Sequence, residues 1–365
     1  MAKFEKGENI MANIQNQLEE FHDNIKLGRF KENQELRDKR DIITNKVKNG
    51  LEKYFEDKEI EIPSIDFIDQ GSYAIDTGIK PSDGNYDIDE GIIIGLYKED
   101  YESNPTIYKE VIEDIMKNHT KIPPKVKKPC VTITYSENDE PSYHVDLPVY
   151  LKSNKDDNLY LSWGYKTSKE NKEWQLADPS GLNNHIKNAF SGEDKKQFKR
   201  IVRYLKKWKD KKFASESNDG TPPSIGLTII AADKLIPLHE TNLTTGKQIP
   251  NDLKAMKWLV DDIINLFKYK YCSIEREFLY IIEYNLPVGN KGNVFSKMTS
   301  KKMNSFYEKL KNLQSALQFA LDEKDPNKAC TKLVKYFGEE LPIPESTESR
   351  YKTVGVSSAP SSNFA

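Results

Sequence analysis

Cysteine and histidine are scarce, three of the former and five of the latter in 365 residues. Cys130, Cys272 and Cys330 are far apart and odd in number. They offer neither a disulfide framework nor a CxxC metal pair, which suits a reducing compartment. No apolar run approaches the ~18–20 residues of a membrane helix, and the N-terminus is polar rather than signal-like. The expectation is a soluble, cytoplasmic protein with no membrane partner. An excess of one charge is also missing. With 55 Lys and Arg against 57 Asp and Glu, the net charge is −2, which argues against a stable nucleic-acid partner. No internal repeat is present. What remains is a chain that is 37% hydrophobic and 31% charged, with enough apolar content for one large or two moderate domains.

Helical spacing dominates both ends. Ile10, Ile14, Leu18, Phe21 and Ile25 recur at three- and four-residue steps, and Ile43, Val47, Leu51, Tyr54 and Phe55 resume the rhythm. Residues 8–58 therefore read as long helix with a break or bend at Gly28. Helices are also expected over 101–119, 194–212, from Ser224 to Leu235, 251–268 and 300–322. Asp178-Pro179-Ser180 reads as a helix start. Residues 151–182 read as polar and turn-rich, with Trp163, Tyr165 and Trp174 packing a loop or stacking on a base.

Between the helical ends lies a segment with chemistry. A short strand at Ile65–Ile68 delivers the chain to Gln70-Gly71-Ser72-Tyr73. Turn-rich residues around Lys80–Asn85 lead to Asp87-Ile88-Asp89 and the apolar run Ile92–Ile94. Strand side chains alternate faces, so Asp87 and Asp89 project from one face about 7 Å apart, and Glu90 from the other. Two such carboxylates repel unless a cation holds them. Oxygen-only ligands suit Mg²⁺, with Mn²⁺ as a substitute. Gly71 and Ser72 supply backbone N–H groups and a hydroxyl for phosphate, with Gly71 allowing close approach. A second metal requires a third carboxylate. Asp146 fits, on a strand that a hairpin from Val131–Tyr135 would lay alongside Asp87 and Asp89 in an antiparallel sheet. His144 shares its face; with no second His or Cys at ligand spacing it reads as packing or orienting. The basic connector 121–129 reads as a solvated loop, with contact to nucleotide phosphate as the alternative.

The ordered set resembles the active-site pattern of the polymerase-β-like nucleotidyltransferase superfamily. It is closest in wording to the bacterial CD-NTases and, among these, to the cholera-type cyclic GMP-AMP synthases. Gln70-Gly71-Ser72-Tyr73 with Thr77, Asp87–Gly91, and His144–Pro148 carry the resemblance. It continues through Arg203–Asp210 and Pro223-Ser224-Ile225. It implies an α+β, two-lobed fold: a small mixed or antiparallel catalytic sheet with a long N-terminal helix, plus a mainly helical lobe. The corresponding division is 1–180, 181–342 and a tail at 343–365. It implies two-metal nucleotidyl transfer with Asp87, Asp89 and Asp146 as metal ligands. Gln70, Gly71, Ser72 and Tyr73 would contact substrate, and Lys206 and Ser224 would hold the triphosphate. Lys207 is the alternative if the helix is rotated by one residue. Substrates would be ribonucleoside triphosphates, ATP with GTP or a pyrimidine triphosphate. The product would be a cyclic oligonucleotide, a cyclic dinucleotide such as cyclic GMP-AMP, serving as an antiphage second messenger.

The Ser-, Thr-, Pro- and Glu-rich stretch from about Ile343 lacks periodicity and reads as disordered. The resemblance makes Ala365 a possible attachment point for a ubiquitin-transfer-like conjugating partner. Two other readings of the chain stay open. One is a nucleotidyltransferase acting on an RNA 3′ end or a small acceptor; the other is a catalytically silent nucleotide-binding module.

Overall fold

The computed structural model describes residues 13–27, 31–81, 86–137, 140–168, 171–216, 220–241 and 245–346. The expected bend at Gly28, the turn residues 82–85, the turn at Asn138-Asp139, most of the tail and Ala365 lie outside these. Two helices come first among the described residues, α1 (Gln15–Ile25) and α2 (Lys31–Asp57). They are followed by β1 (Ile65–Gln70), the single turn α3 (Gly71–Ala74), β2 (Tyr86–Tyr97) and α4 (Ile107–Met116). Next come β3 (Lys125–Val126), β4 (Val131–Glu137), β5 (Glu140–Leu147), β6 (Val149–Lys152), β7 (Leu159–Trp163) and β8 (Glu173–Ala177). The remainder is helical except for two hairpins: α5 (Pro179–Asn188), α6 (Gly192–Lys212), α7 (Ser224–Lys234), β9 (His239–Thr241), β10 (Gln248–Pro250), α8 (Asp252–Asn265), β11 (Lys268–Cys272), β12 (Glu277–Ile281), α9 (Ser300–Asp322) and α10 (Pro326–Phe337). No helix among the described residues is long and apolar enough to cross a membrane.

Strands β1 to β8 form one mixed sheet around β2, larger than the small sheet expected. β1 pairs antiparallel with β2, placing Gln70 opposite Asp89. The Asp146 strand runs parallel to β2, not antiparallel. The reason is the connection. Helix α4 intervenes between β2 and the β4–β5 hairpin, and a crossover of that length permits the parallel return that a tight turn forbids. Asp89 lies opposite Asp146 and Ile92 opposite Val149, so β5 and β6 keep one register along β2 and are a single strand interrupted at Pro148.

Even-numbered positions of β2 make the fold possible. Ile92 and Ile94 point into a core shared with Val145, Leu147 and Val149, covered by Ile43, Val47, Leu51 and Phe55 of α2 and by Tyr108, Ile112 and Met116 of α4. Period-2 burial on the strands meets period-3.6 burial on the helices. A second core joins α6 to α10, centred on Tyr204, Leu205, Trp208 and Phe306. Helix α1 contributes Leu18, Phe21 and Ile25 to it rather than to the sheet. The N-terminal pair therefore serves both halves, α1 the helical one and α2 the sheet. Asp178 caps α5 as its spacing predicts, accepting from the Gly181 N–H at 2.7 Å.

Candidate active site

The odd-numbered positions of β2 face away from the α2/α4 core, and chemistry collects there. In the parallel register Asp87 lies opposite His144 and Asp89 opposite Asp146. On the next strand, Thr134 lies opposite His144 and Thr132 opposite Asp146. The result is two rows across three strands, Asp87–His144–Thr134 and Asp89–Asp146–Thr132. The threonines orient the middle members. Thr132 Oγ1 donates to Asp146 Oδ1 at 2.5 Å, and Thr134 Oγ1 lies 3.1 Å from His144 Nδ1. His144 is thereby a hydrogen-bonded neighbour of the aspartates.

Asp89 is squeezed from two sides. Gly71 has φ +63°, a left-handed conformation suited to glycine, and a Cβ there would stand 2.0 Å from Asp89 Oδ2. The single turn α3 thus begins in contact with the carboxylate. Burial pushes the Asp89 carboxyl up to about 7, reinforced by Asp146 and then Asp87 and opposed by Lys127 and Lys206. Glu90, on the other face, is 4% exposed. Burial raises its carboxyl, and so does the hydrogen bond to Asp69, with Arg40 opposing. It belongs to the packing behind the site.

The residues flanking Gly71 and Ser72 look away from Asp89 in part. Tyr73 accepts from Arg37 Nε at 2.7 Å and lies beneath Arg37 and Arg40 of α2, so it ties α3 to that helix. Gln70 Oε1 accepts from the Tyr150 hydroxyl at 3.1 Å. Gln70 Nε2 is buried with no hydrogen bond among the described residues. Gly91 makes room for it, since a Cβ there would lie 2.2 Å from Nε2.

Helix α6 brings its basic face to the loop after α3. Lys199 and Arg203 hold Asp76 at 2.6 and 3.0 Å. Arg203 also donates to the carbonyls of Gly78 and Asp76. Lys206 donates to Thr77 O at 2.9 Å and Thr77 Oγ1 at 3.0 Å. Desolvation pushes the Lys206 ammonium down to about 7, aided by Arg203 and Lys209. The lysine next to Ser224 is Lys209, whose Nζ donates to Ser224 Oγ at 2.7 Å. Lys207 turns to Glu340 at 2.5 Å. The basic face of α6 is a clamp. The resemblance assigns no role to Lys209, one i, i+3 step along the helix from Lys206.

The aromatics of 151–182 differ in setting, with Tyr165 exposed and Trp163 and Trp174 partly buried. Trp174 Nε1 donates to Tyr101 O at 3.4 Å, and Trp163 and Tyr165 lie under Lys297 and Lys128. The basic connector does reach the site, with Lys127 Nζ 3.7 Å from Asp146 Oδ1. Among the described residues no three Asp, Glu, His or Cys side chains already stand at metal-binding geometry. The donor set nevertheless fits a hard cation: three carboxylates on one face, mutually repelling and oxygen-only.

Residues 65–150 match the family described as cyclic GMP-AMP synthase DncV-like, nucleotidyltransferase domain. The whole fold is similar to the Vibrio cholerae DncV cyclic AMP-GMP synthase, at 15% identity and TM-score 0.64 over 90% of this chain and 97% of that one. It is similar to the Bradyrhizobium diazoefficiens CD-NTase CdnG in complex with GTP, at 13% identity and TM-score 0.63 over 90% and 96%. The E. coli MS115-1 CdnC structure with ATP matches at 17% identity and TM-score 0.62 over 92% and 100%.

Proposed function

We propose that this chain is a nucleotidyltransferase that synthesises a cyclic oligonucleotide from ribonucleoside triphosphates, a reading supported by the match of residues 65–150 to the DncV-like nucleotidyltransferase domain and by the likeness of the whole fold to CD-NTases. The product is a cyclic dinucleotide of the cyclic GMP-AMP kind, acting as a second messenger in antiphage defence. The observation that carries the reading is the row of Asp87, Asp89 and Asp146 on two parallel strands, with Gly71 packed against Asp89. That GTP and ATP occupy the similar structures of CdnG and CdnC supports triphosphates as substrates.

Asp87, Asp89 and Asp146 would hold two Mg²⁺ ions. When bound, the metals lower the pKa of the attacking ribose hydroxyl and offset charge on the attacking and leaving oxygens. The chain supplies the rest. Thr132 fixes Asp146, and Gly71 lets Asp89 and the phosphates share one small space. The Gly71 and Ser72 backbone anchors the donor phosphates, assisted by the Ser224 hydroxyl and the Lys209 and Lys206 ammonium groups. Holding the two nucleotides in line converts a bimolecular step into an intramolecular one. Gln70 supports the turn from behind, and Tyr73 fixes it to α2. We assign 1–180 as the catalytic lobe and 181–342 as the lobe completing the site, with α1 packed on the latter. Conjugation at Ala365 is proposed on the resemblance alone.

Incubation with the four labelled ribonucleoside triphosphates and Mg²⁺, followed by phosphatase, chromatography and mass spectrometry, tests the reading. A phosphatase-resistant product absent from Asp87→Ala/Asp89→Ala is expected. Linear, phosphatase-sensitive oligomers would favour an acceptor-extending enzyme instead.

A further inference from the structure

Lys109 is a fully buried lysine on α4 whose partners are backbone carbonyls. Its Nζ donates to the carbonyl oxygens of Lys127 at 3.1 Å, Lys128 at 2.8 Å and Gly164 at 2.7 Å. All three ammonium protons have acceptors, which is what makes such a burial tolerable. An apolar side chain would fill the same space without the desolvation cost, so the geometry it imposes is the informative feature. The carbonyls belong to the turn between β3 and β4 and to the loop after β7. The same turn is tied again by Lys127 N to Cys130 O at 2.8 Å and by Gly164 N to Lys128 O at 2.9 Å. Backbone this constrained fixes where the Lys127 side chain starts.

It starts beside the aspartates. Lys127 Nζ is 3.7 Å from Asp146 Oδ1, the oxygen that also accepts from Thr132. Its side chain is 49% exposed, so the ammonium is anchored at its root and free to swing at its tip. We propose that Lys127 is a built-in counter-ion to the carboxylate row, competing with a divalent cation before nucleotide arrives, and that Lys109 is the positioning residue that keeps it there. The proposal rests on the reading of Asp87, Asp89 and Asp146 as metal ligands. It makes metal affinity low in the free enzyme. A bound triphosphate offers the ammonium other oxygens and removes the competition.

The test is a Mn²⁺ titration of the full-chain, nucleotide-free protein, with free Mn²⁺ read by electron paramagnetic resonance. Lys127→Met should bind Mn²⁺ on the order of tenfold more tightly, as loss of one nearby positive charge at a partly solvated site implies. Lys127→Arg should stay near the parent. Lys109→Met should tighten binding as well, and the double variant should be no tighter than Lys127→Met. Unchanged or weaker Mn²⁺ binding in Lys127→Met, with the parent binding normally, overturns the counter-ion role alone. A folded Lys109→Met with parental affinity overturns the positioning role, and should it fail to fold, Lys127→Met still decides the first. Absence of Mn²⁺ binding in both parent and Lys127→Met, or binding that survives Asp87→Ala/Asp89→Ala, overturns the metal-ligand reading and the counter-ion with it.

Discussion

Asp89→Asn removes one charge from the carboxylate row at almost constant shape, and its effect on stability follows from the site's electrostatics. In the folded protein the Asp89 carboxyl keeps its proton up to about 7, against an ordinary value of 3.8. Because the folded value is raised, folding takes up a proton between these limits. The associated stability is intact below 3.8 and is lost as pH rises to about 7. At ~1.36 kcal/mol per pH unit, that span bounds the loss at roughly 4 kcal/mol. Partial solvation and relaxation reduce the expectation to ~2 kcal/mol. The uncharged amide of Asp89→Asn carries no such penalty. In urea denaturation with EDTA, the variant should exceed the parent by about 2 kcal/mol at pH 8, and the gap should close toward pH 4. Mg²⁺ should narrow it at pH 8 by stabilising the parent selectively. Equal stabilities at pH 8, or a gap that widens in acid, would refute the account of a strained carboxylate row.

Gly71→Ala puts a methyl 2.0 Å from Asp89 Oδ2 at φ +63°; turnover should fall at least ~100-fold, while folding stability in urea drops by only the ~1–2 kcal/mol of a strained residue. Lys206 has a folded value lowered to about 7, so the unfolded chain binds the extra proton between about 7 and 10.5 and stability rises with pH across that window. The parent-minus-Lys206→Met difference in urea stability should climb through it; a flat difference would contradict the burial of a titrating ammonium. Lys209→Ala and Ser224→Ala should each weaken the apparent affinity for triphosphate, and the double variant should fall short of their product because the two groups are bonded at 2.7 Å. Strict additivity in that cycle would separate them.

The shared face of the carboxylates was legible because its signals are local. Asp87 and Asp89 declare a strand face by alternation, and Gly71 declares a close approach by having no side chain. The sheet's direction was not, because parallel pairing of β2 with β5 is decided by where α4 packs, which no short motif records. β7 and β8 escaped notice for a related reason. Leu159–Trp163 and Glu173–Ala177 are short strands of mixed burial, so neither clean alternation nor a continuous apolar run marks them. The partners of the basic face of α6 were equally hidden. A run of lysines is ordinarily a solvated helix face, but Asp76, Asp252, Thr77, Ser224 and Glu340 reach it from elsewhere in the chain. Those partners are up to 133 positions away from the basic residues they meet. Lys109 gave no sequence signal at all, since its acceptors are backbone carbonyls.

Pyrophosphate release tests the central claim most directly. It would be followed under saturating ATP and GTP with Mg²⁺, for the parent and for Asp87→Asn, Asp89→Asn and Asp146→Asn, with Asp156→Asn as an exposed control. If the three aspartates act as one metal-holding unit, each active-site variant should lose on the order of a thousandfold or more, and the control should match the parent. Parental release from any one of the three folded variants would contradict the assignment of that carboxylate, and parental release from all three would place the chemistry elsewhere in the fold.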